Sequence, residues 1–128
     1  MAGYLTNIEK DTLDNLKFRR VLFTGPHTQL VVMALKPGEE IGLEVHDDVD
    51  QFIRVEAGKG IALLDDQEHA LEDGSAVVIP AGTKHNIVNS SRTETLKLYT
   101  IYSPPEHPDG TIHETKAEAE AYEREHHR

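Results

Sequence analysis

The segment Gly74-Ser-Ala-Val-Val-Ile-Pro80-Ala-Gly82-Thr-Lys-His85-Asn-Ile-Val-Asn89 decides the fold. Its apolar runs, Val77 to Ile79 and Ile87 to Val88, read as short strands, and Pro80-Ala-Gly82 is the turn between them. His85 falls inside the second run, where an unpaired polar group costs roughly 2–7 kcal/mol and therefore needs a partner. The segment Gly38-Glu-Glu-Ile-Gly-Leu-Glu44-Val-His46-Asp-Asp-Val-Asp-Gln51-Phe-Ile-Arg-Val-Glu-Ala-Gly58 has the same character, with Glu44, His46 and Gln51 set among strand-forming residues. One divalent cation is the simplest partner that satisfies all of these groups together.

The same texture extends outward on both sides. Short β-branched runs stand at 18–24, 28–35, 41–46, 51–56, 60–64, 68–71, 75–79, 85–90 and 95–102, punctuated by Gly25-Pro26, Lys36-Pro37-Gly38, Gly58-Lys59-Gly60, Asp65-Asp66-Gln67 and Asp73-Gly74. Many closely spaced strands without a helical period predict an all-β sandwich or barrel over 18–103. Residues 1–17 read as an N-terminal arm, with either a helical turn or plain extended chain at Asn7 to Leu13. Residues 104–128 read as an irregular Pro104-Pro105 loop followed by a short helix over Ala117 to Arg124, started by the capping pair Thr115 and Glu118. His126-His127-Arg128 reads as a frayed end.

A chain of 128 residues is about one domain and builds one core. With no cysteine, any metal must be held by His, Asp, Glu or amide oxygen. Net charge is −10, from 23 acidic and 13 basic residues, which argues against a nucleic-acid partner. The longest apolar run, Leu30 to Leu35, is far short of the roughly 20 residues of a membrane helix, so no membrane partner is expected. The first residues lack the hydrophobic block of a signal peptide, and a cytoplasmic location is expected.

Strand parity sorts the polar residues. Alternate residues share a face, so Glu44 pairs with His46, Gln51 with Ile53 and Val55, and His85 with Ile87 and Asn89. If those faces look inward, Glu44, His46, Gln51 and His85 meet in a common interior. Asp50 competes with Gln51 for the third place, because a carboxylate binds metal better than an amide, although parity puts it on the other face unless a bulge intervenes. Asn89 reads as a strand-end anchor, His27 and His69 as surface residues, and Arg54 as a surface partner of Glu56. Leu30, Val32, Ile53, Val55, Val77, Ile79, Ile87, Leu96 and Leu98 are expected to fill the barrel.

The two quoted segments resemble the two sequence motifs of the cupin superfamily, small jelly-roll barrels also called double-stranded β-helices. Gly74, Pro80, Gly82, His85 and Asn89 match every fixed position of the second motif, Gly-x5-Pro-x-Gly-x2-His-x3-Asn. In the first motif Gly38, His46 and Gly58 match, while Glu44 stands where a first His is usual and Gln51 where Glu is usual. The resemblance implies a single-domain cupin whose metal ligands are Glu44, His46, Gln51 and His85. That set is similar to the zinc site of the cupin-type phosphomannose isomerases, so zinc is favoured over Mn, Fe, Ni or Co.

Three functional expectations follow. The first is a metal-dependent enzyme acting on a small polar carbonyl or sugar-like substrate, an isomerase working through an enediol-like intermediate. Its proton-transfer group is sought in the 104–113 segment, at His107, His113 or Glu106. The second is a dioxygenase, since two histidines and a carboxylate form a facial triad suited to Fe(II). The third is a metal-bearing binding module without turnover. Cupins commonly pair, and a homodimer formed through residues 1–24 is expected.

Overall fold

The computed structural model describes residues 2–126, so the expectation for His127 and Arg128 lies outside the described residues. Eight of the nine expected runs form strands, and Ile112–His113, outside those runs, makes nine strands among the described residues. They are β1 (Arg19–Thr24), β2 (Gln29–Leu35), β3 (Asp50–Ala57), β4 (Gly60–Leu64), β5 (Gln67–Leu71), β6 (Ala76–Ile79), β7 (His85–Val88), β8 (Leu96–Ser103) and β9 (Ile112–His113). A six-stranded sheet has the order β6-β3-β8-β2-β1-β9, and a three-stranded sheet the order β5-β4-β7. Every pairing is antiparallel. This is the jelly-roll all-β architecture, with one short helix after it.

Alternation places the core between the two sheets. Ile53, Val55, Leu96 and Leu98 are fully buried, and they join Val31, Met33, Leu35, Ile79, Ile87 and Leu71 in one cluster. Burying such a side chain contributes roughly 1.5–3 kcal/mol. β2 departs from the expected parity. Val31, Met33 and Leu35 fill the barrel, whereas Val32 is buried outside that cluster and Leu30 is only half-buried. The reason is a second cover: helix α1 (Ile8–Asp14) packs on β2, β3 and β8, so β2 is apolar on both faces and its pattern does not reveal which one looks inward.

The arm thus contains a real helix. Asn7 caps it, its side chain accepting the Lys10 N–H at 3.0 Å, and Glu9 and Asp11 lie in the first turn where the helix dipole favours negative charge. The expected strand over 41–46 is not a continuous strand. Gly42 adopts φ +118 and gives its N–H to the Asn86 side chain at 2.9 Å, so only isolated bridges, Glu40 to Val88 and Glu44 to His85, tie this segment to β7.

Gly58 shows why one motif glycine is needed. Its φ is +97, and a Cβ there would stand 2.6 Å from the Thr95 carbonyl oxygen. Helix α2 (Lys116–His126) begins where its cap is expected, Thr115 Oγ1 accepting the Glu118 N–H at 3.1 Å. The Glu118 carboxylate reaches back to the Glu114 N–H rather than to that of Thr115. Ala119 of α2 is buried in the core cluster, and β9, which the sequence reading omits, pairs with β1. No helix among the described residues is long and apolar enough to cross a membrane.

Candidate metal centre

Backbone pairing builds the centre. Glu44 and His85 sit opposite one another, Glu44 N–H donating to the His85 carbonyl at 2.8 Å and His85 N–H to the Glu44 carbonyl at 2.9 Å. The Gly82 N–H holds the His46 carbonyl at 2.7 Å, so the turn of one motif fixes the loop of the other. Gln51 comes from β3 in the opposite sheet and is 3% exposed.

The side chains converge as parity requires. Donor atoms of Glu44, His46 and His85 all lie within 4.8 Å of one another. Glu44 Oε1 is 3.5 Å from His46 Nε2 and 3.9 Å from His85 Nε2. Donors held about 2.1 Å from a single ion stand roughly 3–4 Å apart, so the spacing suits metal coordination. The same distances are too long for good hydrogen bonds.

His46 Nε2 and His85 Nε2, buried in this cluster, lack any hydrogen-bond partner, and so does the buried Gln51 Oε1 on the opposite sheet. The other ends of His85 and Gln51 are engaged. His85 Nδ1 lies 2.9 Å from the Thr83 carbonyl, which can only accept, so Nδ1 carries the proton and Nε2 a lone pair. His46 Nδ1 faces Glu106 Oε2 at 3.5 Å, and Gln51 Nε2 donates to Thr100 Oγ1 at 3.0 Å, turning Oε1 the other way. The donor set therefore fits a divalent cation.

Without an ion, Glu44 and His46 act on one another as a charge pair. Burial raises the Glu44 carboxyl, but His46, with Arg19 and His85 beyond it, outweighs this and holds it below the usual carboxylate range. The adjoining Glu44 carboxylate raises His46 against the opposing effect of burial, with Glu106 and Asp48 adding to it. Burial raises Glu106, assisted by Glu44 and opposed by His46.

Asp50 points elsewhere: it is exposed, and its Oδ1 accepts the Ala81 N–H at 2.9 Å. Asn89 anchors strand ends as expected, donating to the Leu35 and Glu94 carbonyls at 2.9 Å each. His27 and His69 are exposed, and Arg54 pairs with Glu56 at 3.7 Å.

His107 and His113 occupy different places. His107 packs edge-on against Tyr102, with ring centres 5.1 Å apart, and Tyr102 in turn meets the His46 ring at 6.2 Å. Burial first, then the nearby Arg19 charge, pushes His107 down to about 3, so it stays neutral. His113, on β9, accepts from Arg19 Nη1 at 3.4 Å and packs on Tyr122 of α2 at 5.4 Å.

Two contributors escape the sequence reading. Gln29, fully buried, receives the Glu106 and His107 N–H groups on Oε1 at 3.1 and 3.0 Å and donates to the His107 carbonyl at 2.7 Å. It pins the segment bearing Glu106 and His107. Arg19, 6% exposed, shares a face with Val21, and that inward parity of a charged residue is the signal that would have found it.

Comparison with known proteins agrees with this geometry. Protein L612 of Acanthamoeba polyphaga mimivirus, an uncharacterized protein, is 54% identical over 112 residues, covering 85% of this chain and 70% of that one. YrkC of Bacillus subtilis is 49% identical over 126 residues, covering 94% and 67%. The crystal structure of BH2720 from Bacillus halodurans superposes with a TM-score of 0.91 at 46% identity, covering 94% of this chain and 95% of that chain. The family model described as the cupin domain matches residues 31–102, more than half the chain and including both motifs, and on that match the chain belongs to the cupin family.

Proposed function

We propose that Glu44, His46, Gln51 and His85 hold one divalent cation, zinc ahead of Mn, Fe, Ni and Co, and that the centre serves an isomerase-like enzyme acting on a small polar carbonyl or sugar-like substrate. The observation that carries this reading is the convergence of two buried, unpartnered acceptors, His46 Nε2 and His85 Nε2, on the Glu44 carboxylate, with the buried Gln51 Oε1 likewise unpartnered. A cation satisfies all of them, whereas leaving them unmet costs about 1–3 kcal/mol for each. When bound, such an ion polarises a carbonyl oxygen as a Lewis acid, and one carboxylate against a 2+ charge leaves the centre net positive.

The protein's own groups then take up the rest of the chemistry. Glu106, which lines a cleft with Glu44 and His46 and whose carboxyl is raised by burial, accepts the substrate proton. His107, held neutral by burial, packs on Tyr102 and offers Nε2 as a hydrogen-bond acceptor. Burial raises the Tyr102 hydroxyl, which keeps its proton and serves as a hydrogen-bond donor. Glu106 also stands 3.5 Å from His46 Nδ1, and His113 acts on the site by way of Arg19. A cleft of about 670 Å³ that includes Glu44, His46, Asp48 and Glu106 gives a small molecule room to enter.

The two-histidine, one-carboxylate cluster favours a dioxygenase as the second reading, and a binding module without turnover is the third. A homodimer and a cytoplasmic location complete the proposal. Leu5 and Leu16, 95% and 82% exposed in the N-terminal arm, support association through that arm. Metal analysis of protein purified without added metal, followed by aldose–ketose assays and oxygen uptake, tests the reading. Zinc with isomerisation supports it. Iron with oxygen consumption moves the assignment to the dioxygenase, and bound metal with no turnover to the binding module.

A further inference from the structure

We propose that Arg19 forms an oxyanion subsite beside the metal centre, and that the substrate is a small hydroxy or keto acid whose carboxylate binds there. This rests on the reading that Glu44, His46, Gln51 and His85 hold a cation.

Arg19 is 6% exposed, yet it makes no ion pair among the described residues. Its Nε has no hydrogen-bond partner, and its one polar contact is the 3.4 Å approach of Nη1 to His113 Nδ1. A guanidinium carries five N–H donors, and a buried cation without an anion is costly. Of the acids lining its cleft, Glu44 already faces His46 and His85, and Glu120 pairs with Lys116.

The cleft gives an incoming anion both ends of a binding site. About 340 Å³ in volume, it has Arg19 and Glu44 in its walls beneath α2. The Phe18 ring lies 5.3 Å from the guanidinium carbon and fixes the plane of the fork. Hydroxyl or carbonyl oxygens at one end of the ligand face the metal centre, while the carboxylate at the other accepts two parallel Arg19 N–H bonds. Lys116 and Arg124 offset Glu120 and Glu123 in the lining, so a singly charged, planar carboxylate is the anion whose charge and shape one guanidinium fork matches. Lys116, the nearby lysine, is engaged with the Glu40 carbonyl and with Glu120.

The test is calorimetric titration of the zinc-loaded full chain with gluconate, glucose 6-phosphate and sorbitol. It is run on the wild type, Arg19→Met and Arg19→Lys, after zinc affinity has been measured for each. Gluconate is expected to bind the wild type, to lose roughly thirtyfold or more in Arg19→Met, and to recover only partly in Arg19→Lys. Zinc affinity is expected to be alike in all three. Gluconate binding that ignores Arg19, or sorbitol binding as tightly as gluconate, overturns the proposal. Arg19-dependent binding of glucose 6-phosphate alone overturns its carboxylate assignment.

Absence of zinc binding would instead contradict the metal reading, and gluconate titrated onto metal-free protein then reads the arginine subsite by itself. The wild-type Arg19 Nε–H resonance provides a measurement independent of any substitution. It is expected to shift with gluconate and not with sorbitol, and an unmoved resonance overturns the proposal.

Discussion

Glu44 and His85 exchange both backbone hydrogen bonds across one antiparallel bridge, and Glu44 Oε1 comes within 3.9 Å of His85 Nε2. The bridge sets the two side chains on the same face of the pleat, so chain pairing alone determines that they meet. Gly42 breaks the strand just before Glu44, and Gly82 fastens the His46 carbonyl just after it. Backbone geometry therefore brings Glu44, His46 and His85 together, and Gln51 is buried on β3 of the other sheet.

Zinc is expected to stabilise the protein, and the histidines to carry that response. At a free zinc concentration of about 100 Kd the gain is about 2.7 kcal/mol, or roughly 10 °C in Tm. His46→Ala and His85→Ala should each lower zinc affinity by roughly a hundredfold or more and abolish the Tm response. Thermal melts with and without zinc check this, and an unchanged response in either variant counts against its role.

Gln51→Ala and Asp50→Ala separate the competing third positions. Gln51→Ala is expected to weaken zinc binding. Asp50→Ala should leave zinc binding unchanged and lose about 0.5–1.5 kcal/mol of stability, because its carboxylate holds only the Ala81 N–H. Zinc titration and urea unfolding of the two variants decide the matter.

Gln29→Ala leaves the Glu106 and His107 N–H groups without their acceptor. The expected loss is roughly 2–4 kcal/mol, with faster amide exchange confined to residues 106 and 107 and their neighbours. Unchanged exchange there would show that the segment is held by something else.

Stability of the metal-free protein should fall on acidification through His107. Burial, then Arg19, His113 and His46, depress it to about 3, with Glu44 opposing. The unfolded chain takes up a proton near pH 6.5 that the folded chain refuses. The contribution is thus intact above about pH 6.5 and is lost progressively between there and pH 3, on the order of a few kcal/mol in all. His107→Phe should flatten that part of the pH profile in urea unfolding, and a profile identical to wild type would refute the assignment.

Much of this was legible in the sequence because β parity is a simple rule. Gln51, Ile53 and Val55 share a buried face because β3 alternates cleanly, while His85 and Ile87 lie on a strand buried on both faces and, with Asn89, are placed by the motif spacing. β2 was misread at Leu30 and Val32 because α1 covers its outer face, which erases alternation. The break at Gly42 was hidden, as a glycine's positive φ has no signature of its own when flanked by strand formers. Gln29 gives no local signal because its partners lie in the 106–107 segment, whereas Arg19 carries one in its shared face with Val21.

A crystal structure of the zinc-loaded protein with anomalous scattering measured at the zinc edge tests the central claim most directly. The account predicts one strong peak about 2.0–2.2 Å from Glu44 Oε1, His46 Nε2, Gln51 Oε1 and His85 Nε2. A map with no peak there, or with these four side chains bonded only to one another or to solvent, would contradict it.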